Sequence, residues 1–293
     1  QRGIPLPRGE HSDIGAFEIG CPTLVCPANI VQANDAGQCG AIVNYSVPTP
    51  DGSCPIEFSH PSGSFFALGT TTVTWTRGSE SCSFTVTVND TQNPTVSAPA
   101  NITVGNDPGQ CSASVNPGSA TPSDNCSGGI VTGTRSDGLP LGSPYPVGTT
   151  TISWTATDAS GNTSASSAQQ TITVNDTEGP AIANVSASPV VLAPPNHTMR
   201  DVTVSYSAID NCTSPNCVLS VASNEPINGT ADGDTAPDWE VIDATHVRLR
   251  AERSAHGNGR IYTITVTCTD SAGNITRKQT SVVVAHNIRS PLS

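Results

Sequence analysis

Aromatic side chains make up only 4% of this 293-residue chain, and charged ones only 12%. Cations are scarcest: 12 Lys plus Arg stand against 24 Asp plus Glu, a formal net charge of −12. Such a chain lacks the basic face that phosphate backbones require, so nucleic acid is excluded as a partner. No apolar run approaches the ~20 residues of a membrane-spanning helix. The chain opens at Gln1 with neither Met nor a signal-peptide apolar core, as expected of a processed product or a piece of something longer. Catalytic signatures are missing as well. There is no Gly-x-Ser-x-Gly elbow and no phosphate loop, and no two of His11, His60, His197, His246, His256 and His286 sit at metal-ligand spacing on one element. No catalytic residue is therefore assigned, and His197 is expected to be a hydrogen-bonding loop residue.

What is present is repetition. Gly69-Thr70-Thr71-Thr72-Val73-Thr74-Trp75 returns as Gly148-Thr149-Thr150-Thr151-Ile152-Ser153-Trp154. Around it, Gly37-Gln38-Cys39 returns as Gly109-Gln110-Cys111, Pro27-Ala28-Asn29-Ile30 as Pro99-Ala100-Asn101-Ile102, and Thr87-Val88-Asn89-Asp90 as Thr173-Val174-Asn175-Asp176. The period exceeds the roughly 20 to 50 residues of a solenoid turn and suits a small complete domain.

Segments of four to eight residues rich in Val, Thr and Ile recur between turn-rich stretches: 41–45, 71–76, 83–88, 150–155, 170–174, 202–206, 246–251, 261–267 and 279–284. None carries a helical period, and the alternation in Tyr262-Thr263-Ile264-Thr265-Val266-Thr267 is that of a strand with one buried face. The predicted fold class is all-β, with three tandem immunoglobulin-like β-sandwich domains in a semi-rigid rod. The predicted domains are a strand-competent tail over 1–20, modules over 21–91, 92–177 and 178–287, and a C-terminal tail over 288–293. Short proline-bearing joints, Asn89 to Pro94 and Asn175 to Pro180, separate the modules.

Residues 21–91 and 94–177 resemble hyalin repeats, extracellular immunoglobulin-like modules with a Cys-Pro-x-Asn-Ile start, a Gly-x-Cys, an Asp-Asn-Cys, a Gly-Thr-Thr-x-Val centre and a Val-x-Asp end. The first copy has Arg77-Gly78-Ser79-Glu80 where the family has an Asp-x-x-Gly-Asn turn. The second has that turn as Asp158-Ala159-Ser160-Gly161-Asn162 but carries Ala98 in place of the opening cysteine. The third module resembles immunoglobulin-like modules of secreted bacterial multidomain proteins through Ile209-Asp210-Asn211-Cys212 and Thr269-Asp270-Ser271-Ala272-Gly273-Asn274. The first twenty residues resemble the last coil of secreted right-handed parallel β-helix proteins through Gln1-Arg2-Gly3-Ile4-Pro5 and Asp13-Ile14-Gly15-Ala16-Phe17-Glu18, which implies that a β-helix precedes Gln1 in the precursor.

Ten cysteines, with no Cys-x-x-Cys knuckle, point to disulfides and an oxidising, extracellular compartment. The family pattern implies Cys39 with Cys54, Cys26 with Cys82, and Cys111 with Cys126. In the third module Cys268 is expected to bond Cys217 or Cys212, with Cys217 preferred. Cys21 and Cys212 are then left as candidates for an inter-chain disulfide, against the alternative of a buried free thiol or reshuffled pairing.

Calcium is the one cofactor with candidate ligands. Asp90 and Asp176 lie in the joints, and Asp124, Asp158, Asp210 and Asp270 lie in loops near strand ends, where hard oxygens could collect around an ion. The competing reading is plain Asx-turn duty. A denser acidic run holds Asp232, Asp234 and Asp238, but Pro237 and a missing twelfth-position Glu break its likeness to an EF-hand.

The leading expectation is an extracellular, non-enzymatic structural or adhesive protein that self-associates. In its sharper form Ile14, Phe17 and Ile19 act as a donor strand that adds to a sheet edge of a neighbouring molecule, building a fibre or matrix head to tail. The alternative is a stalk or carbohydrate-binding accessory region of a larger β-helix protein, with cell-surface glycans as partners and Trp239 as the sugar platform.

Overall fold

The computed structural model describes residues 21, 23–48, 54–227, 236–255 and 259–284. Ile14, Phe17, Ile19, Asp232 and Asp234 lie outside the described residues. Every assigned element within them is a strand, and each strand segment expected from the sequence falls on one.

The chain divides into two compact units whose border runs through the second module. The first comprises residues 1–98, 120–132 and 154–168, and the second residues 99–119, 133–153 and 169–293.

In the first unit a four-stranded sheet has the order Ile30–Ala33, Glu80–Asn89, Gly69–Arg77, Glu57–Phe58. A second sheet pairs Gly40–Val43 with Ser64–Ala67. Alternation places Val73, Trp75, Phe84, Val86 and Val88 on one face, and they pack on Ala41, Val43 and Phe66 of the other sheet. The chain's few aromatics are concentrated here: Trp75 meets Phe58 and Phe84 edge to face at ring distances of 5.6 Å, an arrangement favoured by the ring quadrupoles.

One pairing governs the rest of this unit. Ile30–Ala33 runs parallel to the last strand, with Ile30 opposite Val86 and Ala33 opposite Asn89. A parallel partner carries the chain toward the end at which the last strand leaves. The turn after Ala33, which holds Gly37-Gln38-Cys39, therefore emerges beside Asp90 at the joint, and the Asn34 amide donates to the Asn89 carbonyl at 2.9 Å. The second unit repeats this: Ile102–Gly105 is parallel to Ala168–Asn175 with Gly105 opposite Asn175, and the Asn106 amide donates to the Asn175 carbonyl at 2.9 Å.

The third module supplies most of the second unit. One sheet has the order Ala181–Ser188, Met199–Ile209, His246–Arg250, Trp239–Val241, and the other Asn216–Ser223, Arg260–Thr269, Ile275–Val284. Lettered A to G in chain order, these are sheets ABED and CFG, the constant-type immunoglobulin sandwich. Val202, Val204, Val247, Leu249, Tyr262, Ile264, Val266, Val282 and Val284 fill the space between them.

Next to that apolar core lies a buried ionic group. Arg260 is fully buried, 2.7 Å from Asp238, 3.6 Å from Glu225 and 3.8 Å from Glu252. Burial pushes the neighbouring Tyr262 phenol up to about 12, and its hydroxyl donates to the Arg250 carbonyl at 2.9 Å. Replacing Arg260 by Met removes the cation and strands three carboxylates. We expect a loss of about 3–5 kcal/mol, because breaking one side of a buried pair leaves uncompensated charge; thermal unfolding with unchanged midpoint would show that the group is not load-sharing in this way.

Candidate functional site: a duplicated joint

The same construction occurs at both joints, each inside one unit. At the first, Gly37 sits in the left-handed region with φ of 71°, and its amide donates to Gln92 Oε1 at 3.0 Å. At the second, Gly109 has φ of 69° and donates to Glu178 Oε2 at 2.8 Å. A side chain at either position would meet the strain that Gly avoids. Asn34 Nδ2 donates to the Gln38 carbonyl while its Oδ1 accepts from the Thr91 amide. Asn106 does the same with the Gln110 carbonyl and the Thr177 amide.

The following module reaches back with two asparagines. Asn125 Nδ2 donates to the Gln38 carbonyl at 2.8 Å, and Asn211 Nδ2 to the Gln110 carbonyl at 2.8 Å. Asn162 Nδ2 donates both to its own Asp158 and to the Asp90 carbonyl at 3.1 Å. Asn274 Nδ2 makes the matching bonds to Asp270 and to the Asp176 carbonyl at 3.2 Å.

The covalent link is the largest departure from the expected wiring. Cys39 bonds Cys126 and Cys111 bonds Cys212, so both bonds cross a joint. The family-implied pairs Cys39 with Cys54 and Cys111 with Cys126 are not formed, because the parallel first strand carries Cys39 and Cys111 to the exit end of their modules. Cys54 bonds Cys21 instead, and Cys26 bonds Cys82. Cys217 bonds Cys268 directly across neighbouring strands, where the two are register partners. All ten cysteines are thus paired within the chain, and neither Cys21 nor Cys212 is available for an inter-chain bond. A signal for this was present: Gly-Gln-Cys occurs in modules one and two, whereas Asp-Asn-Cys occurs in modules two and three. The offset matches bonds that run from each module to the next.

The acidic residues separate into two kinds. Asp158 Oδ1 accepts from the amides of Ser160 and Asn162, and its Oδ2 from Asn162 Nδ2. Asp270 is held in the same way by Asn274. Burial alone would raise these two carboxyls, but the side-chain and backbone donors of Asn162 and Asn274 outweigh it and hold both below the ordinary value. Their oxygens accept turn hydrogen bonds, the Asx-turn duty weighed against calcium ligation. Asp238 is the ion-pair partner of Arg260. Asp90 instead gathers with Asp124, and Asp176 with Asp210, their ligand atoms lying within 4.8 Å of one another beside Cys126 and Cys212.

Elsewhere, His197 Nδ1 lies 3.1 Å from Glu252 Oε2, so the loop histidine is tied to the buried ionic group. Trp239 is half-buried and meets Tyr262 edge to face at 6.2 Å. That contact anchors it to the core.

Tandem β-sandwich modules, each tied to its successor by a disulfide and a polar lock, define a multi-module protein with covalently linked modules. The HYR domain family matches residues 18–88 and 89–174, slightly more than half of the chain, and the chain belongs to that family. Hyalin of Strongylocentrotus purpuratus is 35% identical over 170 residues, which is 54% of this chain and 14% of that protein, so the chain spans about one-seventh of the relative's length. Among solved structures, extracellular cadherin domains 1–4 of protocadherin gamma B7 are similar at 14% identity and a TM-score of 0.35, over 88% of this chain and 74% of that one. Titin domains I67–I69 are similar at 11% identity and a TM-score of 0.35, over 88% and 94%.

Two outcomes follow for the joints. Peptide mapping under non-reducing conditions should recover Cys39 with Cys126 and Cys111 with Cys212; a Cys39–Cys54 peptide would overturn the wiring. Second, the carboxyls of Asp158 and Asp270 are depressed in the fold relative to the unfolded value of about 3.9. Their stabilisation is present in full above that value and is lost as pH falls through the lower folded one. The double variant Asp158→Asn with Asp270→Asn should therefore melt earlier than the parent at pH 7 and lose less further stability below about pH 4. Parallel melting curves across that range would contradict the assignment.

Proposed function

We propose that this is an extracellular, non-enzymatic structural or adhesive protein whose modules transmit tension through covalently closed joints. The observation that carries the reading is the repeated cross-joint disulfide. Each bond closes a large loop, with sequence separations of 87 and 101 residues. In chain-entropy terms a loop of about 100 residues contributes ~4.7 kcal/mol, several times the ~1 kcal/mol of a single neutral hydrogen bond. Five disulfides and an acidic, cation-poor surface suit an oxidising compartment outside the cell.

Self-association by strand addition is the finer form of this proposal. In the first unit Gly40–Val43 and Ser64–Ala67 form a sheet of two strands, whereas the corresponding sheet of the third module has four. One edge is blocked: Asp35 Oδ2 accepts from the Ile42 amide, and Gln32 Nε2 donates to the Ile42 carbonyl. The other edge belongs to Ser64–Ala67, where Phe65 is 53% exposed. The residues Ile14, Phe17 and Ile19 of a second copy are the proposed donor for it. The reading as a carbohydrate-binding stalk is disfavoured by the packing of Trp239 on Tyr262.

Sedimentation of the full chain, alone and with residues 1–20 deleted, tests the assembly. We expect concentration-dependent association in the full chain, lost on deletion and weakened by Phe65→Lys. A full chain that stays monomeric at its solubility limit would refute self-association.

A further inference from the structure

Each joint carboxylate spends one oxygen on a backbone amide and leaves the other unused. Asp90 Oδ1 accepts from the Gln92 amide and Asp124 Oδ2 from the Cys126 amide. Asp176 Oδ1 accepts from the Glu178 amide and Asp210 Oδ2 from the Cys212 amide. The remaining oxygens Asp90 Oδ2, Asp176 Oδ2 and Asp210 Oδ1 are sealed from solvent and have no hydrogen-bond donor. Asp90 as a whole is only 8% exposed. An ionised oxygen removed from water without a donor is costly, and a second carboxylate beside it adds repulsion. Among the described residues, none of the ion pairs compensates these four carboxylates.

The sulfurs of Cys126 and Cys212 are consumed in disulfides, so they are not thiolate ligands. What remains is a pair of hard oxygen donors at each joint, within 4.8 Å of each other. Two calcium–oxygen bonds of about 2.4 Å span that distance, and calcium accepts six to eight oxygens with water completing the shell. Room for water exists. A cleft of about 480 Å³ beside the first pair is lined by Asp124, Ser127 and Thr157, and one of about 530 Å³ beside the second is lined by Asp210, Asn211 and Glu178.

We propose that each joint binds one calcium ion, held by Asp90 and Asp124 at the first and by Asp176 and Asp210 at the second. The site is made from both sides of the joint, since Asp90 leaves the last strand of one module and Asp124 lies on a loop of the next. The ion neutralises the carboxylate pair and ties the same two segments that the disulfide ties. This proposal does not depend on strand addition.

Equilibrium dialysis of the intact, oxidised chain against calcium chloride tests it, up to about 10 mM, ten times the weakest dissociation constants of extracellular calcium modules. The expected result is two ions per chain, falling to one in Asp90→Asn, to one in Asp176→Asn and to none in the double variant, with Glu57→Gln retaining two. Should Asp90→Asn or Asp176→Asn lose the native circular dichroism, Asp124→Asn and Asp210→Asn probe the same two sites. Absence of uptake by the parent chain, or uptake undiminished in the folded variants, would overturn the assignment.

Discussion

The parallel pairing of each repeat's first strand with its last decides where everything else at the joints can be. It involves four residue pairs in the first unit, Ile30 to Ala33 against Val86 to Asn89. An antiparallel partner would send the next turn to the entry end of the module; a parallel one sends it to the exit end. Asn34, Gly37, Gln38 and Cys39 thereby become joint residues although they lie about 50 positions before Asp90 in sequence. In the second unit the same register places Asn106, Gly109, Gln110 and Cys111 beside Asp176. The two cross-joint disulfides and the hydrogen bonds of Asn34, Gln38, Asn106 and Gln110 are consequences of that direction.

The polar lock and the disulfide divide the work differently. The disulfide acts chiefly on the unfolded chain, by removing loop entropy, and does not itself fix an angle. Orientation comes from hydrogen bonds with two ends, and Asn162 shows why asparagine suits the role. Its Nδ2 is shared between Asp158 in its own turn and the Asp90 carbonyl of the preceding module. Asp158 also receives the Asn162 amide, so the side chain is positioned before it reaches across. The first copy departs from this pattern. Its hairpin is closed by an Arg77–Glu80 pair at 2.7 Å, with the Arg77 side chain largely covered and Glu80 exposed. Within the described residues that hairpin has no preceding joint to strut.

Strand content and the core were legible because they follow from alternation: Val73, Trp75, Phe84 and Val86 announce their buried face in sequence. The joint was legible only in part. Turn chemistry marked Asp158 and Asp270, and position marked Asp90 and Asp176, but the register of a four-residue strand leaves no periodic trace. The family resemblance implies Cys39 with Cys54, a pairing inside one module, whereas the bond runs to Cys126 in the next. Asp238 was legible only in part for a related reason. Its neighbours in sequence are acidic, while the residue that defines it, Arg260, comes from a distant strand.

The second repeat's lost cysteine shows how the same constraint is met by other chemistry. Matching the repeats through Pro27 with Pro99 and Val88 with Val174 sets Cys26 against Ala98 and Cys82 against Ala168, so both halves of the Cys26–Cys82 bond are absent together. That bond tied the opening segment to the last strand. Two positions on, where the first repeat has Phe84 in its core, the second has Gln170, fully buried. Gln170 Nε2 donates to the Ala100 carbonyl at 2.9 Å and to the Pro117 carbonyl at 2.9 Å. A buried amide is tolerated only when its donors are satisfied, and here both bonds end on the opening half of the repeat. The tie between first segment and last strand thus survives as hydrogen bonds in one copy and as a disulfide in the other. What both copies keep unchanged is the cross-joint cysteine, which identifies continuity between modules, more than the closure of any one of them, as the property this sequence maintains.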